Sequence, residues 1–366
     1  MSKSKLPPQG TAEAEAVIER FLSGDLTSLS AELNYTRRDL LVRAMKSKYG
    51  VVQELAKIKV GPPPEPKVYP APKIKIMPLI QEGDKEEGEE VHLTLRSDAH
   101  VGLLTPSFNI ATFKDRLWTL AKAETNICRL HRRMRPIKKL VSPWLGDMVQ
   151  GEQYGVQGYV EEFECGVEEQ IYEHLVPTMA EYYVNLLQIY ETIEIPIVPG
   201  NHGNIQRRSQ KVSKRSHWDT VAGRALKSAL SHYEDRIHVT VAEPGQWYMI
   251  QEVNGWSFLL IHLDQILSYQ GVPFYGIEKR GLRWKQSIGV TEPFDYILGG
   301  HFHNPNALYN AGVPIYINGT FSSDSDFPLV RMGLKDVAAQ WSLFVNRKYG
   351  VTASYKISLQ EGQRNV

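Results

Sequence analysis

Two cysteines, Cys128 and Cys165, are all that the 366 residues contain. That is too few for a disulfide framework, and neither lies in a metal-ligand spacing, so a zinc finger is excluded and a reducing compartment suits the chain. Long apolar runs are missing as well. No stretch approaches the roughly 18 apolar residues of a membrane span, and the opening MSKSKLPPQG has no apolar core of a signal peptide. An intracellular protein with no membrane partner is therefore expected. Net charge is also missing: 42 Lys/Arg stand against 41 Asp/Glu, which excludes a polybasic chain but not a local basic patch. The first 73 residues hold twelve Lys/Arg against eight Asp/Glu, leaving thirty against thirty-three for the rest, so the basic bias is N-terminal. No internal repeat is visible.

What is present divides into a helical start, a proline-rich joint and a long α/β remainder. Residues 12–60 read as helical. Ala16, Val17 and Phe21 mark a first helix that stops at Ser23-Gly24-Asp25. Ser28 is the expected cap of a second, short helix, with Asn34 in a left-handed conformation at its end. Thr36 caps a third helix, with Leu40, Leu41 and Ala44 on one face. That third helix opens with Arg37 and Arg38 and carries Arg43, the layout of a helix-turn-helix that touches DNA. The alternative is a small all-α bundle used for packing or homodimerisation. The segment 61–73, GPPPEPKVYPAPK, is an extended linker. The expected domains are thus 1–60 (helix-turn-helix-like), 61–73 (linker) and 74–366 (catalytic). From Val91 onward strands alternate with helical segments at 110–133, 161–190 and 217–231, and a closing hairpin turns at Lys348-Tyr349-Gly350.

Five short polar segments each follow an apolar run: Asp98-x-His100, Gly146-Asp147, Gly200-Asn201-His202, His262, and Gly300-His301-Phe302-His303. Polar, metal-competent side chains at the ends of buried strands are how α/β proteins build sites. Carboxylate, imidazole and carboxamide without cysteine is a donor set for two divalent ions such as Mn, Fe, Zn or Co. Asp98 and His100 alternate on an extended segment, so a bulge or turn is needed to aim both at one ion. Asp147, after a glycine, is the natural bridge. A water shared by the two ions ionises near neutral pH and serves as nucleophile. His202 is not needed as a ligand; an unligated imidazole beside the metals would protonate the leaving-group oxygen or stabilise the phosphoryl charge.

The ordered set SDAHVG, LGD, PGNH, IH and GHFH resembles the calcineurin-like metallophosphoesterase superfamily over roughly residues 91–345. The resemblance implies a four-layer α/β/β/α sandwich with two mixed sheets. It implies that Asp98, His100, Asp147 and His303 bind one metal and that Asp147, Asn201, His262 and His301 bind the other, with His202 catalytic. Two departures stand out. Gly203 occupies a place where many members carry Asp or Glu to orient the histidine, and Met148-Val149-Gln150 replaces a second polar position, leaving Gln150 as a substitute. His92, His131, His174, His217, His232 and His238 lie outside the motifs and read as surface or satisfied core residues.

Substrate must be read from local residues, because the fold does not choose it. SDAHVG resembles the DNA repair exonuclease branch. GNHG with the later INGTF resembles phage- and plasmid-borne metallophosphoesterases, which implies a cytoplasmic protein of a phage or mobile element in a bacterial host. Arg207, Arg208, Lys211, Lys214 and Arg215 follow the Gly-Asn-His motif, where cations can track a phosphate backbone; the alternative is a solvated face. Arg132, Arg133 and Arg135 belong to the opposite face. Trp247, Trp256, Phe274, Tyr275 and Trp284 can stack on bases or fill the core, and Phe302 packs. The leading expectation is a Mn-type dinuclear nuclease acting on DNA, with RNA as the other nucleic acid. The alternatives are a phosphomonoesterase or small-molecule phosphodiesterase with a protein-binding helical domain, and a non-catalytic replication or regulatory subunit.

Overall fold

The computed structural model describes residues 6–33, 35, 38–50, 88–152, 155–156, 159–160, 162–205, 214–267, 272–309, 312–323 and 336–360. The chain divides into two compact units, 1–79 and 80–366. Among the described residues no helix is long and apolar enough to cross a membrane.

In the first unit, α1 (Ala12–Leu22), α2 (Leu26–Glu32) and α3 (Arg38–Tyr49) surround Leu6, Val17, Phe21, Leu29, Leu41 and Met45. Thr11 caps α1 by accepting the Ala14 amide at 3.2 Å, and Gly24 ends it in the left-handed region (φ 92°). The second helix begins three residues earlier than the Ser28 cap would place it. Asp25 is its N-cap, and Ser28 sits inside the first turn, its side chain hydrogen-bonded to the Asp25 carboxylate. Arg20 meets the same carboxylate at 2.9 Å. Asn34, Thr36, Arg37 and the linker 61–73 lie outside the described residues, as does the Arg38 side chain.

The second unit is α/β with two mixed sheets. In chain order its main elements are β1 (Glu90–Thr94), α4 (Ile110–His131), β2 (Lys139–Val141), α5 (Val176–Leu186), β3 (Thr192–Ile197), α6 (Trp218–Ala229), β4 (Ile237–Val241), β5 (Tyr248–Val253), β6 (Trp256–Ile261), α7 (Phe274–Thr291), β7 (Tyr296–Gly299), β8 (Asn306–Leu308), β9 (Ile315–Ile317), β10 (Ala339–Asn346) and β11 (Gly350–Ser358). One sheet runs β11-β10-β1-β2-β3-β4, with β1 to β4 parallel and the closing β10–β11 hairpin antiparallel. The other runs β8-β9-β7-β6-β5, parallel across β9-β7-β6 and antiparallel at both edges. A π-helical turn, Gln170–Leu175, precedes α5. Pro177 at the start of α5 has no N–H to give to the turn below, so the ladder widens there.

Side-chain alternation sorts the strands between three apolar clusters. Val91, Leu93, Leu343 and Val345 of the first sheet share a cluster with Phe258, Leu260 and Leu298 of the second. The opposite face of the first sheet, with Leu140, Ile193, Ile195 and Phe344, packs on residues of α4, α5 and α6. The opposite face of the second, with Leu259, Ile261 and Ile297, packs on Ile277 and Trp284 of α7. Phe302 belongs to this last cluster, as expected. His92 is a satisfied core residue: its ring nitrogens meet the Tyr190 hydroxyl at 2.6 Å and the Ser342 hydroxyl at 2.7 Å.

One buried charge was not legible in the sequence. Arg96, two residues beyond β1, is fully enclosed and pairs with Glu124 of α4 at 2.7 Å, while the Tyr182 hydroxyl donates to Glu124 at 2.7 Å. The pair ties α4 and α5 to the strand that leads into Asp98. Removing one partner strands the other without solvent. Glu124→Ala is expected to cost about 3–5 kcal/mol of unfolding free energy. Urea titration checks this, and a loss under about 1 kcal/mol would mean that the Arg96 charge is compensated elsewhere.

Candidate metal centre

The parallel strands β1, β2 and β3 deliver Asp98, His100, Asp147, Asn201 and His202, while β6 and β7 of the other sheet deliver His262, His301 and His303. Three groups of donors converge: Asp98, His100 and His303; His100, Asp147 and His202; Asp147, His262 and His301. Within each group the candidate ligand atoms lie within 4.8 Å of one another. Asn201 Oδ1 joins the last group, 3.0 Å from His262 Nε2.

Asp98 and His100 do not alternate on an extended strand. Both are left-handed (φ 52° and 46°), as are Asp147 (53°), His301 (76°) and His303 (52°). That conformation is uncommon for side chains other than glycine, and here it turns successive ligands inward. Gly146 makes the turn before Asp147 at φ 89°, where a Cβ would overlap the Gly200 backbone. The Asp98 backbone is pinned on both sides: its N–H donates to Gly146 O, and its carbonyl accepts from Phe321 N and Thr320 Oγ1 at 3.0 and 2.7 Å.

Ring orientation is a test of whether these residues fit metal ions. His262 Nδ1 donates to the Leu145 carbonyl at 2.7 Å. His303 Nδ1 meets Asp336 Oδ1 at 2.9 Å, and His100 Nδ1 meets Gln150 Oε1 at 2.8 Å. In each case an acceptor holds the Nδ1 proton and turns Nε2 toward the other donors, the arrangement found behind metal-bound imidazoles. His100 Nε2 and His303 Nε2 then face one another at 3.0 Å. Two lone pairs at that distance call for a cation or a proton. Together with the cysteine-free N/O donors, this fits divalent ions.

The electrostatics carry the same demand. His303 is raised to about 10: burial opposes this, but Asp336 and Asp98 outweigh it. His262 is raised to about 9, burial again being outweighed by Asp147. Burial, with His202 and His303 nearby, lowers His100 to about 3. Burial and His262 lower His301 to about 4. Asp147, although buried, is held well below the usual carboxylate range by His262 and His202. Protons on His262 and His303 thus stand where bound cations would.

His202 is buried, its ring edge-on to His100 with centroids 4.6 Å apart, and its amide donates to Asp147 Oδ1 at 2.7 Å. Gln150 supports His100. Gly203 has a steric reason: a Cβ there would run into the His217 ring. Asp336 behind His303, and Asp219, whose carboxylate accepts the Asp147 and Gly200 amides, were not singled out in the sequence. The only sequence signal for the second is an acidic residue, Asp219, in the first turn of a helix capped by His217.

Of the basic residues, Arg207, Arg208 and Lys211 lie outside the described residues. Lys214 is buried rather than presented outward. Its ammonium meets Asp264 at 2.9 Å and Pro199 O at 3.4 Å. Arg215 and Arg43 are exposed. Tyr275 is 75% exposed and Phe274 43%, whereas Trp247 and Trp284 pack with the third cluster.

No family model and no curated protein matches the sequence. Among solved structures, vacuolar protein sorting 29 from Cryptosporidium parvum is 12% identical over 75% of this chain and 94% of its own, with a TM-score of 0.35. A structure described as a novel archaeal phosphodiesterase is 12% identical over 73% of this chain and 99% of its own, at 0.32. A hypothetical protein from Pyrococcus horikoshii OT3 is 10% identical over 74% and 89%, at 0.35. Likenesses at these TM-scores decide nothing about chemistry, which rests on the donors themselves.

Ligation needs a bare Nε2, so binding must expel the protons of His262 and His303, whose values of about 9 and 10 lie above neutral pH. Divalent-ion affinity is therefore expected to rise with pH, by about tenfold per pH unit for each proton released, up to that range. Calorimetry in two buffers of different ionisation enthalpy measures the release. Affinity that does not change between about pH 6 and 8 would remove both histidines from the ligand set.

Proposed function

We propose that the chain is a metal-dependent phosphodiesterase, and specifically a nuclease that hydrolyses DNA phosphodiester bonds. The observation that carries the metal-dependent part is the pair of adjoining donor sets, aligned through His100, His262 and His303, with Asp147 common to two of the three convergent groups. Asp98, His100, Asp147 and His303 would hold one ion, and Asp147, Asn201, His262 and His301 the other. Mn is our first choice, with Fe, Zn or Co compatible with the same donors. Two such ions supply Lewis acidity and, from water, a nucleophile at neutral pH. His202, beside His100 and Asp147, would give a proton to the leaving-group oxygen. The three apolar clusters support reading the second unit as an α/β/β/α sandwich, the calcineurin-like metallophosphoesterase arrangement.

DNA as substrate is supported by the basic composition of 204–216 and by the hold on that segment beside the donors at Asn204 and Lys214. Asn204 donates to the Asn201 carbonyl at 2.9 Å, and Lys214 is paired to Asp264, two residues beyond His262. We read 1–60 as a helix-turn-helix-like domain joined by the linker 61–73 to a catalytic domain, 74–366, with exposed Arg43 of α3 facing nucleic acid. A phosphomonoesterase or small-molecule phosphodiesterase is the second reading. It is favoured by Lys214, whose internal ion pair removes one cation from the surface available to a polyanion.

With Mn²⁺ added, single- and double-stranded DNA, RNA, a phosphopeptide and a bis-aryl phosphodiester are incubated in parallel. Cleavage of DNA is the expected result, and intact DNA beside cleaved monoesters would sink the nuclease reading. His202→Ala is expected to retain both ions and lose about 10²–10⁴-fold in turnover, whereas Asp147→Ala loses metal. Full activity in His202→Ala would end its assigned role. Arg43→Glu should weaken DNA binding at every sequence and lower the salt slope by about one; an unchanged slope would move DNA contact away from α3.

A further inference from the structure

The loops that carry Asp147 and Asn201 arise from different strands, β2 and β3, and one carboxylate joins them. Asp219 Oδ2 accepts the amides of Asp147 at 3.0 Å and Gly200 at 2.9 Å, and Oδ1 accepts that of Met148 at 3.0 Å. Asp219 is fully buried in the first turn of α6, where the helix N-terminus favours an anion. His217, the residue capping that helix, locks the arrangement. Its Nδ1 accepts the Asp219 amide at 3.2 Å, so Nε2 carries the proton and donates to Gly200 O at 3.0 Å. Gly203 leaves room for this ring. Between them, Asp219 and His217 engage both the amide and the carbonyl of Gly200 and the amide of Asp147.

We infer that Asp219, seated by His217, is a positioning residue that sets the approach of Asp147 to Asn201, and so the affinity for the ion those two share with His262 and His301. The inference rests on the metal-centre reading above. A simple tie between two loops can be made by any hydrogen bond. Here both oxygens are used as acceptors, by three amides, and a carboxamide in the same place would set an N–H₂ against at least one amide N–H. Asn201 N and His202 N donate in turn to Asp147 Oδ1 at 2.7 Å each, so a shift of the Gly200 loop moves the bridging carboxylate and the carboxamide ligand together. Asp98 and His303 of the other donor group have their own supports in Thr320 and Asp336. The effect should therefore fall on one ion more than on the other.

The test is titration of Mn²⁺ into the full chain by calorimetry, for wild type, Asp219→Asn, His217→Ala and His217→Gln, with near-ultraviolet circular dichroism of each metal-free protein reporting its fold. Wild type is expected to bind two ions. Asp219→Asn should weaken one of them by about 10–100-fold and leave the other within about threefold. His217→Ala should behave likewise, while His217→Gln, which can keep a donor on Gly200 O, should stay within about threefold of wild type. A folded Asp219→Asn that binds both ions as wild type does, or loses both equally, overturns the inference and leaves the metal centre standing. Wild type that binds no Mn²⁺ overturns the metal centre and this inference together. If Asp219→Asn does not fold, the two His217 variants decide: equal affinities in Ala and Gln overturn the inference.

Discussion

The Asp147 carboxylate holds the two sheets to a common centre. Its Oδ1 accepts the backbone amides of Asn201 and His202 from the β3 end, and Oδ2 meets His262 Nε2 from the β6 end of the other sheet at 2.7 Å. Its own amide is given to Asp219, and its carbonyl accepts the His100 amide at 3.0 Å. The Asp147 carboxylate is itself buried, where an unpaired charge would be costly and a paired one is strong. Strand order, loop path and ring orientation around the site all have to agree with this one side chain.

That agreement is reached against local preference. Five candidate ligands occupy the left-handed region, each at an expected cost of order 1–3 kcal/mol if nothing compensated it. Compensation comes from the surrounding polar network. Thr320 and Phe321 hold the Asp98 carbonyl, and Asn318 donates to Ser97 Oγ at 3.0 Å and to Gln340 Oε1 at 2.6 Å. Burying so many polar groups is tolerable because they are paired, and the pairing fixes the loops before any ligand arrives.

Much of this was legible in the residues. Asp98, His100, Asp147, Asn201, His202, His262, His301 and His303 each follow a short apolar run, and strand ends place such residues at one edge of a sheet. The alternation of Val91, Leu93 and Leu95 with His92, Thr94 and Arg96 suggests by itself a strand with one solvated face, yet all six residues are buried. The helix starts were less secure. Ser28 looked like a cap, but Asp25 ends the preceding turn and takes that role, and capping signals separated by three residues cannot be ranked without the chain path. The backbone of the ligand loops was also beyond reach, since a left-handed Asp or His is chosen by its surroundings and not by its own propensity.

The sequence by itself determined which donors the chain owns, their order, and the strands that precede them, because period-two burial and ligand chemistry are local properties. Only the tertiary structure decided how those donors are aimed. Asp336 behind His303, Gln150 behind His100, the carbonyl of Leu145 behind His262, and Asp219 behind Asp147 are separated from their partners by between 33 and 117 residues, and only the link from Asp219 to Gly200, across 19, is shorter. It also turned Lys214 inward onto Asp264, a pairing across 50 residues. Hydrogen bonds of that span are written in the packing of sheets against one another, and no reading of neighbouring residues reaches them.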